Sequence, residues 1–355
     1  MACRTALGIL TRRLSSNYLR NNSSALAVQT CKCTVAVRHS STRREDWDSF
    51  GSWDERIYEP ILLEQSIKHG IPIPKVSLEN VGTASLQGRR SVNEDRIIIQ
   101  ELQPNLLLFG LFDGHAGALA ADFTVEHLCD LIQTEIKGEH DLQKVLSKAF
   151  VEVNKMLAWH VAELKDPKIA NTGTTATVCL LRNGNELVVA NVGDSRALVC
   201  RKAKAVRLSC DHEPEYNTQE KARIKRCGGI ISWNSLGKPL VNGVLTMTRS
   251  IGDLPLKKFG VTAEPETRSL EIKHTKDGFL VMVTDGVHFV MNDQEICDSV
   301  ISCHSPQEAA DFVVDHALQF GSDDNVSAIV IPLGQWGRFT NPNMMISLRW
   351  HRVEP

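Results

Sequence analysis

Apolar residues along the chain fall into short runs separated by polar and glycine-containing breaks, and their spacing is of two kinds. Runs rich in β-branched residues and bounded by Gly, Asn or Asp predict strands over residues 92–100, 106–112, 174–181, 187–192, 197–201, 279–284 and 326–332. Apolar positions three and four apart predict helices over residues 118–137, 141–162, 218–227, 293–303 and 306–320. The turns RNGNE and VGDSR are short, which favours antiparallel hairpins over helical crossovers. Helices come in consecutive pairs and strands come in groups. This pattern predicts an α+β fold, two face-to-face antiparallel β-sheets flanked by helix pairs in an α-β-β-α sandwich.

The ends of the chain read differently from its body. Residues 1–44 hold seven arginines, one lysine, many serines and no Asp or Glu, with Leu7, Leu10, Leu14 and Leu19 spaced toward one helical face. Such an Arg-rich, Ser-rich amphipathic segment is expected to be an organellar transit peptide, the competing reading being a basic tail for nucleic acid or anionic lipid. Residues 45–75, rich in Pro and Trp, are expected to form an arm on a domain spanning 76–333, and 334–355 a tail.

Charge and composition narrow the class of function. The whole chain has 40 basic and 42 acidic residues, and with the eight basic ones of the first segment set aside the remainder carries a formal charge of −10. A body so acidic argues against binding nucleic acid through a basic face. No run approaches the roughly 18 apolar residues of a membrane-spanning helix, so a soluble protein with no transmembrane segment is expected. The ten cysteines show no paired C-x-x-C clusters and read as reduced thiols.

The chemistry is carried by carboxylates at strand ends. G-x-x-x-x-G-K-[ST], H-E-x-x-H and G-x-S-x-G are all missing from the sequence. Asp113 closes the run LLLFGLF, Asp285 closes FLVMVT, Asp194 follows ELVVANV within VGDSR, and Asp324 precedes VSAIVIP. Taken singly, each could be a turn or helix-cap residue. Four at the ends of neighbouring strands could instead converge on one edge of the sandwich and hold a hard divalent cation, Mg²⁺ or Mn²⁺. Two such ions sharing a carboxylate activate water for in-line displacement at phosphorus. Arg90, four residues before Glu94, could grip phosphate oxygens, and His115, next to a candidate ligand, could protonate the leaving group. An exposed turn arginine and a packed helix-start histidine are the alternatives.

The segments GRRSVNEDR, LFDGHAG, NTGTTATV, VANVGDSRA, MTRSIGD, VTDGV and SDDNVSAIVI, in this order, resemble the metal-dependent protein phosphatases of type 2C. The resemblance runs from Val76 to Pro332. It implies phosphoserine and phosphothreonine hydrolysis at a binuclear Mg²⁺ or Mn²⁺ centre. Asp113 would bridge the ions and Gly114 would offer its carbonyl to one of them, while Asp285 and Asp324 complete the protein ligands of the other. Glu94 would act through water with Asp95 behind it, and Asp194 would hold a weaker third metal. Arg90 would bind the substrate phosphate and His115 would act as the acid. The segments WDERIYEPILLEQSIKHGIPIPKVSLENVG and ISWNSLGKPLVNGVLTMTRSIGDL resemble a mitochondrial branch of that family. This implies the matrix as compartment and the phosphorylated decarboxylase subunit of the branched-chain 2-oxo acid dehydrogenase complex as substrate, acted on by a monomer.

Two positions depart from the family pattern. Ala116 replaces a glycine after His115, which is unfavourable if the backbone there has positive φ. Phe289 stands where an acidic residue is common, which weakens a third metal. A catalytically silent phosphoprotein-binding adaptor, or a phosphoesterase acting on small molecules, are the competing functions. Retention of three mutually repelling aspartates favours the phosphatase.

Overall fold

The computed structural model describes residues 76–338 apart from 215, 216 and 236. The expected transit peptide and arm, and the tail beyond 338, lie outside the described residues. The strands are β1 (Gly82–Leu86), β2 (Arg96–Gln103), β3 (Leu106–Phe112), β4 (Gly114–His115), β5 (Gly173–Thr174), β6 (Ala176–Arg182), β7 (Glu186–Val192) and β8 (Arg196–Arg201). They continue with β9 (Lys204–Arg207), β10 (Ile231–Trp233), β11 (Pro239–Val241), β12 (Ile251–Gly252), β13 (Glu266–Glu271), β14 (Asp277–Val283) and β15 (Val326–Pro332). The α-helices are α1 (Leu119–Ile136), α2 (Leu142–Leu164), α3 (Thr218–Arg226), α4 (Leu254–Lys257), α5 (Asp285–His288), α6 (Asp293–Ile301) and α7 (Pro306–Gln319).

Two five-stranded antiparallel sheets, ordered β13-β7-β6-β3-β2 and β1-β15-β14-β8-β9, pack face to face. Every residue of β3 is buried because its alternating side chains enter two different cores. Leu107, Phe109 and Leu111 meet Val199, Leu280, Met282 and Ile329 between the sheets. Leu106, Leu108 and Phe112 face the other way, into the layer built by α1 and α2. A third core lies between the second sheet and the pair α6 and α7, with Val281, Val283 and Ala328 against Ile296, Val300 and Val313. A strand buried on both faces reads as a continuous apolar run, which is why these strands stand out in the sequence. The helix starts are set by local side chains. Asp141 accepts from the Gln143 amide, Asn292 and Glu295 form a capping box, and Ser305 accepts from the Glu308 amide ahead of α7.

The structure revises three expectations. The strand expected from residue 92 begins at Arg96, because the Asn325 side chain takes up the backbone of the preceding loop. It accepts from the Glu94 amide at 2.9 Å and donates to the Val92 and Gln87 carbonyls at 3.0 and 2.8 Å. The run expected over 174–181 is divided: β5 joins a small sheet with β4 and β12, and only β6 enters the large one. The turn VGDSR does not close a hairpin. The place beside β7 is filled by β13, so the chain crosses to the other sheet and β8 pairs with β14. Strand β13 is not expected from the sequence, since ETRSLE is mostly exposed and carries no apolar alternation.

Helix α3 is tied to the segment before β12 by a buried carboxylate. Glu220 accepts from Arg223, from Arg249 at 2.9 and 3.1 Å, and from the Thr248 hydroxyl at 2.6 Å. Burial alone would push this carboxyl up, but the hydrogen bonds from Arg249, Arg223 and Thr248 and the Arg249 charge outweigh it and bring the pKa down to about 2. A depressed carboxyl stabilises the fold above its unfolded value and loses that contribution as pH falls toward 2. Glu220→Gln is therefore expected to destabilise by about 2–3 kcal/mol at pH 7, the difference from the parent shrinking below pH ~4 in denaturant melts.

Candidate metal centre

Antiparallel pairing brings the acidic strand ends to one end of the sandwich. The end of β3 lies beside the start of β2, Phe112 opposite Arg96, so Asp113 and the Glu94–Asp95 pair share an edge. In the facing sheet Val283, just before Thr284 and Asp285, is opposite Ala328 of β15 and Arg196 of β8, which places Asp324 and Asp194 at the corresponding edge. The crossing at VGDSR thus positions Asp194 between the sheets, which a hairpin would not.

The electrostatics reflect this convergence of charge. The Asp113 carboxyl is held well above the usual carboxylate range by burial and then by the charges of Asp285, Asp95 and Asp194, with a hydrogen bond to Asp285 in the same direction. Asp194 is likewise raised by burial and by Asp285, Glu213 and Asp211. Asp95 is raised to about 7, chiefly by burial, with the charges of Asp285 and Asp324 adding to it against hydrogen bonds from Ser327 and Thr284. Asp95 Oδ1 and Asp194 Oδ1 are buried with no hydrogen-bond partner. Among the described residues no group of three or more His, Cys, Asp or Glu side chains could hold an ion as they stand. The carboxylates are turned instead toward nearby donors. Asp324 accepts from Arg90 at 2.7 Å and from the Asn325 amide at 2.8 Å, and Asp95 accepts from Ser327 at 2.6 Å.

Threonines of the NTGTT segment fix the backbone of Asp113. Its amide donates to Thr175 Oγ1 at 3.0 Å and its carbonyl accepts from the Thr175 amide at 2.9 Å and the Thr174 hydroxyl at 3.1 Å. Thr175 Oγ1 in turn contacts Ser195 Oγ at 2.8 Å, linking the turns that carry Asp113 and Asp194. A Cβ at Gly114 would stand 2.6 Å from the Glu94 carbonyl, so the close approach of these two loops requires glycine. Glu94 accepts from the Gly117 amide at 3.2 Å. Arg90 is exposed at the rim.

His115 sits on β4 with Nε2 at 2.9 and 3.0 Å from the two carboxylate oxygens of Asp253. The sequence places Asp253 in the MTRSIGD segment but assigns it no role. It is equally silent on Asn325, Thr284 and Ser327, which hold the Arg90–Asp95 loop and the Asp95 carboxylate. Nothing in a linear pattern distinguishes such residues from ordinary turn and strand positions.

The two departures have structural consequences. Ala116 has φ 54°, the left-handed region that favours glycine. Ala116→Gly is accordingly expected to raise stability by about 1 kcal/mol, read as a rise of about 2–4 °C in a thermal melt. Phe289 is 70% exposed, and Lys238 Nζ lies 4.3 Å above its ring. In place of an acidic side chain, this chain sets a hydrocarbon ring and a cation.

Known proteins share both the sequence pattern and the fold. A family model described as protein phosphatase 2C matches residues 79–326. The chain is 48% identical over 358 residues to "Protein phosphatase 1K, mitochondrial" of Xenopus laevis, covering 96% of each. It is 34% identical over 253 residues to "Probable protein phosphatase 2C 45" of Oryza sativa subsp. japonica, covering 70% of this chain and 86% of the relative. The solved serine-threonine phosphatase 2C of Toxoplasma gondii shares the fold at a TM-score of 0.65 and 20% identity, over 74% of this chain and 98% of that one.

Proposed function

We propose that this chain, which belongs to the protein phosphatase 2C family, hydrolyses phosphoserine and phosphothreonine in proteins at a centre of two Mg²⁺ or Mn²⁺ ions. The observation that carries this reading is the gathering of Asp113, Asp285, Asp194, Asp95 and Asp324 charges at one end of the sandwich. A cluster that raises the proton affinity of its own carboxyls is a poor structural device without a cation and a good ligand set with one. The donors are oxygens with no thiolate among them, which suits a hard ion, and the unpartnered Oδ1 atoms of Asp95 and Asp194 leave acceptor capacity to spare.

In this reading Asp113, the Gly114 carbonyl, Asp285 and Asp324 hold the two ions, with Glu94 acting through water and Asp95 supporting it. When bound, the ions supply Lewis acidity toward phosphoryl oxygens and a water activated for attack. The chain's own residues do the rest. Arg90, 60% exposed and now resting on Asp324, is long enough to turn its planar fork onto the substrate phosphate and orient it for in-line displacement. His115 gives a proton to the departing serine or threonine oxygen. A third cation at Asp194 would be weakly held, because Phe289 offers no oxygen and stands under Lys238.

The same reading extends to setting. Residues 1–44 act as a mitochondrial transit peptide, 45–75 as an arm, 76–333 as the phosphatase domain and 334–355 as a tail. The mitochondrial designation of the Xenopus laevis relative supports this, as does the Arg-rich, acid-free composition of the first segment. The proposed compartment is the matrix and the proposed substrate the phosphorylated decarboxylase subunit of the branched-chain 2-oxo acid dehydrogenase complex, engaged by a monomer. Among the described residues no helix is long and apolar enough to cross a membrane.

The test is phosphate release from a phosphoserine peptide and from that phosphorylated subunit, with Mn²⁺, with Mg²⁺ and with EDTA. Metal-dependent release, faster with the subunit than with an unrelated phosphoprotein, is the expected result. A folded protein that binds the phosphoprotein without releasing phosphate would be an adaptor instead.

A further inference from the structure

Asp253 is buried, non-glycine and in a left-handed backbone conformation, φ 48° and ψ 45°, at the start of α4. Such a conformation is unfavourable for aspartate and persists only where the surroundings hold it. Several contacts do. The Asp253 amide donates to the Thr172 carbonyl at 2.8 Å, and Ser250 Oγ donates to Asp253 Oδ2 at 2.6 Å. Lys257 Nζ, on the next helical turn, donates to the Ser250 carbonyl at 2.6 Å.

All this rigidity is directed at one ring. Both oxygens of Asp253 face Nε2 of His115, while His115 Nδ1 is buried without a partner. The pair fits over Gly173, where a Cβ would run into Asp253 Oδ2 and His115 Nε2 together. Glycine is thus needed for close approach at a position in extended pairing with His115 and Gly252.

Resting on the reading of His115 as proton donor, we propose that Asp253 is a positioning residue for it. Asp253 accepts a hydrogen bond from Nε2–H of the imidazolium and fixes the ring's orientation, so that Nδ1–H is the proton handed to the leaving oxygen and the ring ends neutral with its remaining proton on Nε2. A carboxylate that orients an imidazole through its far nitrogen is a general device for making one ring nitrogen available. The residues that build it here are Asp253, Ser250 and Gly173.

The test uses the full chain with Mn²⁺ and two substrates, a phosphoserine peptide with a poor leaving group and 4-nitrophenyl phosphate with a good one. Asp253→Asn keeps the side chain's shape and is expected to lower peptide turnover by about 30-fold while lowering aryl phosphate turnover by less than about 3-fold. In a His115→Ala background it should add no further loss. Ser250→Ala, which leaves Asp253 in place, should show the same bias at about a third of that size or less, and serves if Asp253→Asn folds poorly. Nitrogen-15 NMR of the ring, followed through its titration and its signal identified by its loss in His115→Ala, should report the neutral form as the Nε2–H tautomer in the parent and as a tautomer mixture in Asp253→Asn. Equal slowing of both substrates, full additivity with His115→Ala, or an unchanged tautomer would overturn the assignment. If His115→Ala itself slows both substrates alike, the proton-donor reading fails, and the tautomer measurement alone decides whether Asp253 holds the ring.

Discussion

Asp285→Asn is expected to lower phosphate release from a phosphoserine peptide by about a thousandfold or more while the protein stays folded. Lewis-acid stabilisation of a phosphoryl transition state supplies several kcal/mol, and each ~1.4 kcal/mol is a factor of ten in rate. Asparagine keeps the volume of aspartate but not the charge that a hard cation selects. The fold should tolerate the change, because the structural work of residue 285 is done by its backbone. Its carbonyl accepts from the Phe289 amide at 2.9 Å at the start of α5. Its side chain faces the raised carboxyl of Asp113, where the loss of one charge relieves repulsion. Far-ultraviolet circular dichroism and a thermal melt, run beside the assay, separate a folded inactive variant from an unfolded one. Turnover within about tenfold of the parent would place the cations elsewhere.

Much of the fold is legible in the sequence because its central strands are buried on both faces. LLLFGLF is apolar throughout and VSAIVIP at every position but Ser327, and seven residues between turn signals suit a buried strand and are too few for a core helix. Edge and connecting strands escape notice for the converse reason. The strand β13 lies at a sheet edge with no residue buried on either face and pairs only with β7, so ETRSLE shows no apolar alternation. The turn VGDSR misleads because a short connection between two strands is a hairpin only if the place beside the first strand is free, and here β13, from much later in the chain, fills it. The candidate ligands are legible since a carboxylate at a strand end leaves a local signature. The contacts that hold the site are not local. Asn325 reaches the Gln87 and Val92 carbonyls, and Asp253 reaches His115, across sequence separations that no periodicity encodes. Ala116 lies between these cases: its unsuitability for positive φ follows from the residue type alone, and the φ of 54° turns that condition into an observation.

Asp113→Asn is expected to change stability in opposite directions depending on whether the divalent ion is present. Without it, Asp113 is a carboxyl pressed against Asp285, Asp95 and Asp194, so folding brings like charges together in a poorly solvated place. Removing that charge should stabilise the metal-free protein, read as a higher melting temperature without added ion. With Mg²⁺ or Mn²⁺ in the assay, the parent should gain from mass action, about 2.7 kcal/mol at a concentration a hundred times the dissociation constant. For a domain of this size that gain corresponds to a rise of about 5–10 °C in melting temperature. The variant, lacking one of the side chains that would hold the ions, should lose most of that rise along with turnover. The two effects have opposite sign, which sets this outcome apart from ordinary damage to the core: a misfolded variant would melt lower under both conditions. A parent whose melting temperature does not respond to either ion would remove the metal centre from this end of the sandwich. A variant that still gains the full rise would show that Asp113 is not among its ligands.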